Sequence, residues 1–420
     1  MNEVPKAPMN KYIKYVLFLL LFTPLLGFVY KGIFNFPRTI INAIQIYVLI
    51  VGIIFILKYN SLKIPSYVYL LLLYSFYRFF FAVINLSHEH YLTILHYATY
   101  NISTLLIIII IYNSQFNDVF IEKITKIFKL TVIFAFVAVL VEVYRPSFLG
   151  LSPFYYSNSE NISPGGLYQV RRVAIFGYVD ASEIGLSFIP FASVILGHLL
   201  KQKKAIIYFM IAVGTIALLT NARYIIIGFL IISIQYLLYG EKSKIKYVGF
   251  IILPVIAFFV LYYLLNALGY NIMDWWDQRL FAEGSIKNTT RYKAWWNFIY
   301  FFPQNPYWGT GIHGNTTEIA RASILISSSQ IHVGYFAHLV SFGLIGSFFY
   351  FGFLFLLTKN LFTHAKKTKY WGAFFAYIFF LWAQATLVYH SIFFSGLIFA
   401  LVYDKYYYDN YLLSKENYNN

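Results

Sequence analysis

No cysteine occurs anywhere in the chain, which excludes a disulfide framework, a thiolate metal site and a cysteine nucleophile. Charge is scarce as well: 11% of the 420 residues are Asp, Glu, Lys or Arg, and only 16 are acidic. No G-x-x-x-x-G-K-[ST] phosphate loop, H-E-x-x-H zinc motif or G-x-S-x-G nucleophile elbow is present. The "DWWD" at 274–277 has the wrong spacing for a paired-acid metal site, and no internal repeat of the kind many secondary transporters carry can be found.

Apolar side chains take the place of all these. Hydrophobic residues make up 60% of the chain and aromatics 22%, with a mean hydropathy of +0.65. So few charges cannot cover so much apolar surface in water, so the composition implies a polytopic membrane protein of all-α class. Runs long enough to cross roughly 30 Å of hydrocarbon predict about twelve transmembrane helices. They fall near 13–30, 38–58, 65–86, 91–112, 124–144, 178–200, 204–220, 222–239, 247–268, 331–357, 370–388 and 391–408. The first follows Lys6, Lys11 and Lys14 but has no convincing small-residue cleavage site, and reads as a retained signal anchor. The chain is expected to form one integral-membrane domain over 1–420.

The formal net charge of +16 would suit a nucleic-acid partner in a soluble protein. In a membrane protein the position of the basic residues matters more, and none is assigned to nucleic acid. With both termini in the cytoplasm, 20 of the 23 lysines fall at cytoplasmic ends or loops, as in "KQKK", "EKSKIK" and "KNLFTHAKKTK". The nine arginines do the opposite. Arg38, Arg145, Arg171, Arg172, Arg223, Arg279, Arg291 and Arg321 fall on the outer side, and Arg78 lies inside the third span toward its outer end. A guanidinium keeps its charge and grips phosphate through a planar fork of donors, so the asymmetry points to an anionic, phosphorylated ligand at the outer face. Snorkelling to outer headgroups, or pairing with Asp180, Glu183, Asp274, Asp277 or Glu283, is the competing explanation for any single arginine.

Two connections are long and both face out, at about 145–177 and 269–330. Within the second, "TRYKAWWNFIYFF" (290–302) predicts an amphipathic helix in the interface, capped by Thr289 or Thr290 and ended by Pro303. "NPYWGTGIHGN" then reads as a turn-rich segment in which Gly309, Gly311 and Gly314 permit close backbone approach. Downstream, His332 stands at the lip of an apolar segment that contains Gly343 and Gly346.

Four stretches resemble one family, the bacterial O-antigen polymerases and O-antigen ligases. Ligases of that kind carry His, then Asn, Ser or Gln, nine free positions, Gly, two free positions, and Gly, Thr or Tyr. His332, Gly343 and Gly346 keep that spacing, with Val333 in place of the polar residue. "TRYKAWWNFIYFFPQNPYWGTGIHGN" is similar to the family's Arg/Trp helix with its following Pro, Gly-x-Gly turn and Asn. "LLTNARYIIIGFL" resembles its outer hairpin, giving Arg223, and "RRVAIFGYVDASEIGL" its segment after the first long loop, giving Arg172.

The resemblance implies a glycosyltransferase of the inner membrane that needs neither cofactor nor metal. Its substrates would be oligosaccharides on undecaprenyl pyrophosphate in a setting of membrane lipids, with a chain-length regulator as an expected protein partner. Expulsion of a lipid pyrophosphate calls for preorganised cations, for which Arg172, Arg223 and Arg291 are the candidates. Arg171, Arg279, His313, Asn315 and Arg321 are secondary candidates. His332 would be the catalytic base, because imidazole exchanges a proton near neutral pH. A helix-end histidine bonded to a loop carbonyl or to Glu318 is the plainer alternative. Gly343 and Gly346 are expected to be structural, letting another helix approach in a small-x-x-small arrangement. The function expected is polymerisation of lipid-linked repeat units into O-antigen or capsular polysaccharide; the alternatives are ligation to lipid A core and, from another class, a lipid or oligosaccharide flippase. A flippase should line a cavity at membrane depth with charge, whereas these charges gather at the outer lips.

Overall fold

The computed structural model describes residues 14, 15, 17, 18, 39–59, 62–84, 91–144, 181–199, 209–214, 223–239, 263, 290–309, 334–384 and 393–419. Among these the protein is helical and contains no β-strand. The elements that place the site are α1 (Thr39–Lys58), α2 (Ser66–Ile84), α3 (Tyr91–Asn113), α4 (Asp118–Tyr144), α5 (Ala181–Leu199), α6 (Arg223–Tyr239), α7 (Thr290–Phe301), α8 (Gly334–Thr368), α9 (Gly372–Gln384) and α10 (Phe393–Asn419).

Where helices were expected within the described residues, helices occur, but their lengths differ. Against about twelve membrane-length helices, the described residues hold one, α8, that is long and apolar enough to cross a membrane, together with shorter apolar stretches such as Ile46–Lys58 and Ile227–Tyr239. The expected spans near 13–30, 204–220 and 247–268 lie mostly outside the described residues, as do the loop 145–177 and most of 269–330. Helix α8 continues to Thr368, not 357, and α10 to Asn419, not 408. Hydropathy reads the thickness of hydrocarbon, whereas a helix stops only where its backbone is made to stop. The stop for α8 is Lys369, in a left-handed conformation (φ 61°), whose N–H still reaches the Ala365 carbonyl at 2.9 Å. Lys366 and Lys367 in the last turn suit the negative end of the helix dipole.

The core forms where α5 packs against α6, α9 and α10 while α2 packs along α8. Between α5 and α6, the Ser193 hydroxyl lies 2.6 Å from Gln235 Oε1, and Gln235 Nε2 returns a bond to the Ser193 carbonyl at 3.0 Å. Close approach of α6 depends on Gly228, where a Cβ would stand about 2.7–2.8 Å from Ile189 and Phe379. The outward faces are apolar: Ile46, Ile50, Ile53, Ile54 and Leu57 on α1, Leu230, Ile234 and Leu238 on α6, and Phe348 and Phe355 on α8 are all exposed. Exposed aliphatic faces of this extent suit a hydrocarbon surrounding rather than water.

The ends of α8 and α10 are tied by polar side chains. His364 Nδ1 lies 2.6 Å from Asp404 Oδ2, both residues are buried, and the imidazole stacks on Tyr408 at 3.8 Å. Tyr406 donates to Asp118 of α4 at 2.7 Å, and His198 of α5 meets the Tyr407 hydroxyl at 2.7 Å. Removing one partner of a buried polar pair costs about 1–3 kcal/mol. Asp404→Leu is therefore expected to lower the thermal midpoint of the detergent-solubilised protein, with Asp404→Asn falling between it and the unsubstituted chain.

Candidate functional site

The segment 290–309 is a helix, one tighter turn and a docked loop. Helix α7 ends where Pro303 enters the 3-10 turn Phe302–Gln304, since proline offers no N–H to continue the ladder. One face of α7 meets α8: Phe298 stacks on Phe336 at 4.7 Å, Trp295 lies 5.5 Å from the same ring, and Phe301 is buried with Ala337 and Val340. Trp296, Ile299 and Tyr300 stay exposed, as an interfacial helix requires. The loop beyond closes on itself through Gly309 N–H to the Asn305 carbonyl, 2.9 Å, with Gly309 at φ +83°.

Helix α8 is broken where this loop meets it. Gly343 adopts φ 61°, ψ −167°, dividing the helix into 334–342 and 344–368. A break strips the first amides of the second segment of their helical acceptors. The loop supplies replacements: Leu344 N–H donates to the Pro306 carbonyl at 2.8 Å and Ile345 N–H to the Tyr307 carbonyl at 3.2 Å. The contact is backbone on backbone. A Cβ on Gly343 would collide with the Tyr307 carbonyl, and one on Gly309 with the Ser341 carbonyl and Gly343 nitrogen. Sequence spacing pairs Gly343 with Gly346 as a seam for one neighbouring helix, but the structure gives them different partners. Gly346 admits the Tyr77 ring of α2, whereas Gly343 admits the docked loop.

A buried polar cluster lies beside the break. Tyr74 Oη is 3.0 Å from His338 Nδ1, His338 stacks on Tyr350 at 4.0 Å, and the Arg78 guanidinium sits 5.4 Å from the Phe342 ring centre. Arg78 and His338 are each only 5% exposed, and a charged side chain at such depth is retained for a reason. Of these residues the sequence singled out only Arg78. Tyr74 and His338 are 264 positions apart, and no spacing rule links them. The one available signal was a lone imidazole within a long apolar run.

The expected site residues divide into two groups. Arg223 is the first residue of α6 and Arg291 the second of α7, placed by their backbones. His332, two positions before α8, lies outside the described residues, as do Arg171, Arg172, Arg279, His313, Asn315 and Arg321. The structure does settle the direction of the two helices that bracket this region. Contacts run in step from Trp295 with Phe336, through Phe301 with Ala337 and Val340, to Pro306 with Leu344. Helices α7 and α8 are therefore parallel, and their N-termini, at Thr290 and Gly334, fall at the same end. Two helix N-termini side by side favour negative charge at that end.

Residues 207–351 match the family model described as O-antigen ligase. The match bears out the resemblance to the O-antigen ligase and polymerase family over a segment that takes in α6, α7, the docked loop and the broken part of α8. It supports a membrane enzyme of polysaccharide synthesis with glycosyl-transfer activity of the ligase or polymerase type. A search of curated proteins finds no match to the chain.

Alanine at Gly343 has to force two backbones apart and to hold a positive φ with an extended ψ, a combination essentially confined to glycine that itself costs about 1–3 kcal/mol. Alanine at Gly346 meets side-chain atoms instead, the Tyr77 ring and the Phe342 Cβ, and needs no positive φ. Gly343→Ala is therefore expected to depress the thermal midpoint in detergent well below that of Gly346→Ala, with Gly309→Ala resembling Gly343→Ala.

Proposed function

We propose that the protein is a repeat-unit polymerase. It joins a growing glycan on one undecaprenyl pyrophosphate to a new lipid-linked repeat unit at the outer face of the inner membrane, yielding O-antigen or capsular polysaccharide. The observation that carries this reading is the parallel packing of α7 on α8, which puts the start of the helix bearing Arg291 and the start of the helix preceded by His332 at one end. Multi-pass insertion with both termini in the cytoplasm puts that end outside, where the lysines are few and the arginines many.

In this mechanism His332 accepts the proton of an acceptor sugar hydroxyl as its oxygen attacks the anomeric carbon of the donor. The new C–O bond forms while the bond to the pyrophosphate oxygen breaks, and the electron pair leaves on the undecaprenyl pyrophosphate. Direct displacement inverts the anomeric centre. Arg291, Arg223 and Arg172 hold the leaving group, whose charge grows through the transition state. The N-termini of α7 and α8 add partial positive charge from the same side. Arginine suits this task better than lysine because its fork meets two phosphate oxygens at once.

Val333 favours polymerase, because the ligase motif has a polar residue there. The family model's description favours the second reading, transfer of finished glycan to lipid A core. The glycan profile of a strain lacking the protein separates them. A single repeat unit on the core is expected for a lost polymerase, and bare core with accumulated lipid-linked polymer for a lost ligase.

His332→Ala is expected to lower transfer by about 10²-fold or more, the usual contribution of a general base, with normal amounts of protein in the membrane. Unchanged polymer length and amount would remove His332 from the mechanism. Arg291→Ala should cost about 10²-fold, and Arg291→Lys should restore only part of the loss. Full activity in the lysine variant would reduce the arginine to charge balance.

A further inference from the structure

We propose that Tyr77 is a positioning residue for glycosyl transfer, a latch that holds the glycine loop against the broken helix from outside the segment that matches the family. The proposal rests on the reading of the common end of α7 and α8 as the transfer site. Four successive carbonyls of the loop each accept one hydrogen bond. Asn305 takes that of Gly309 N–H, Pro306 that of Leu344 N–H, and Tyr307 that of Ile345 N–H. Trp308 takes the hydroxyl of Tyr77, at 2.9 Å. The first three donors are backbone amides of the loop and of α8. The fourth comes from a side chain of α2, 231 positions away in sequence.

The Tyr77 ring is held as firmly as its hydroxyl. It occupies the niche that Gly346 leaves open and lies parallel to the Trp308 indole, with planes 9° apart and centres at 6.5 Å. Two neighbours on the same helix complete the grip: Tyr74, one turn earlier, bonds His338 above the break, and Arg78, the next residue after Tyr77, covers Phe342 beside it. Helix α2 thus touches both the loop and the first segment of α8, and fixes one against the other. Residues 66–84 lie wholly outside 207–351.

Position at the loop is amplified at the far end of α7. A 12-residue helix is about 18 Å long. A tilt of about 5° at the loop would therefore move Arg291 by about 1.5 Å, and a displacement of about 1 Å can cost up to roughly 10²-fold in rate. Tyr77 would act through Arg291, without touching substrate.

The test uses the full-length protein in lipid nanodiscs, with Tyr77→Phe, Gly346→Ala and, as a control on the exposed face of α2, Tyr69→Phe. Tyr77→Phe keeps the ring in its niche and removes only the hydroxyl. Amide hydrogen exchange at Gly309, Leu344 and Ile345 is expected to quicken about 3- to 10-fold. With a lipid-linked repeat unit as substrate, kcat should fall at least as far while KM stays near its original value. Gly346→Ala, which crowds the ring, should quicken the same amides, and Tyr69→Phe should change neither readout. Unchanged exchange in both Tyr77→Phe and Gly346→Ala overturns the latch. Faster exchange with an unchanged kcat overturns the positioning role. Absence of transfer by the unsubstituted protein overturns the glycosyl-transfer reading itself, an outcome that exchange rates keep separate from failure of the latch.

Discussion

A broken helix in apolar surroundings has to find acceptors for the amides at its new start, and the way α8 meets that need organises everything around it. Unsatisfied backbone groups cost several kcal/mol each where water cannot reach them. Gly343 makes the break, Gly309 lets a second backbone come close enough to repair it, and the Pro306 and Tyr307 carbonyls do the repair. A side chain at either glycine would occupy the space the other strand needs. The two glycines are therefore one feature, although 33 positions of sequence divide them.

That repair sets the course of α7. With the loop pinned at Leu344 and Ile345, the preceding helix lies along the first segment of α8, where Phe298, Phe301 and Trp295 pack against Phe336, Ala337 and Val340. The result is a pair of parallel helices whose positive ends coincide, the arrangement an anionic leaving group would call for. The other end of the bundle is built on different principles. There His364 with Asp404, Tyr406 with Asp118 and His198 with Tyr407 bind α4, α5, α8 and α10 through paired polar groups. The bundle is thus stapled by polar pairs near one end and docked through glycines toward the other.

Much of the helical content was legible in the sequence because apolar runs and their breakers are local signals. The helix 290–301, its end at Pro303 and the glycine turn after it could all be read from composition and proline chemistry. Helix length could not: α8 and α10 outrun their apolar stretches because nothing in their polar continuations stops a helix until Lys369 in one case. The candidate arginines and His332 were selected by sidedness and by spacing, both one-dimensional properties. Their side chains lie outside the described residues, and the structure speaks to them only through the direction of the helices they border.

The sequence by itself determined the helical class of the protein, its wealth of apolar side chains and the two glycines of the motif. These follow from composition and from order along the chain, which need no third dimension. Only the tertiary structure decided what the glycines are for. The φ of +61° at Gly343 is stable because a loop from 305–309 arrives to satisfy the amides it exposes, and that loop is held by Tyr77 of a distant helix. No local pattern encodes an encounter among residues 77, 308 and 343. It exists because the backbone needs hydrogen bonds where there is no water to provide them.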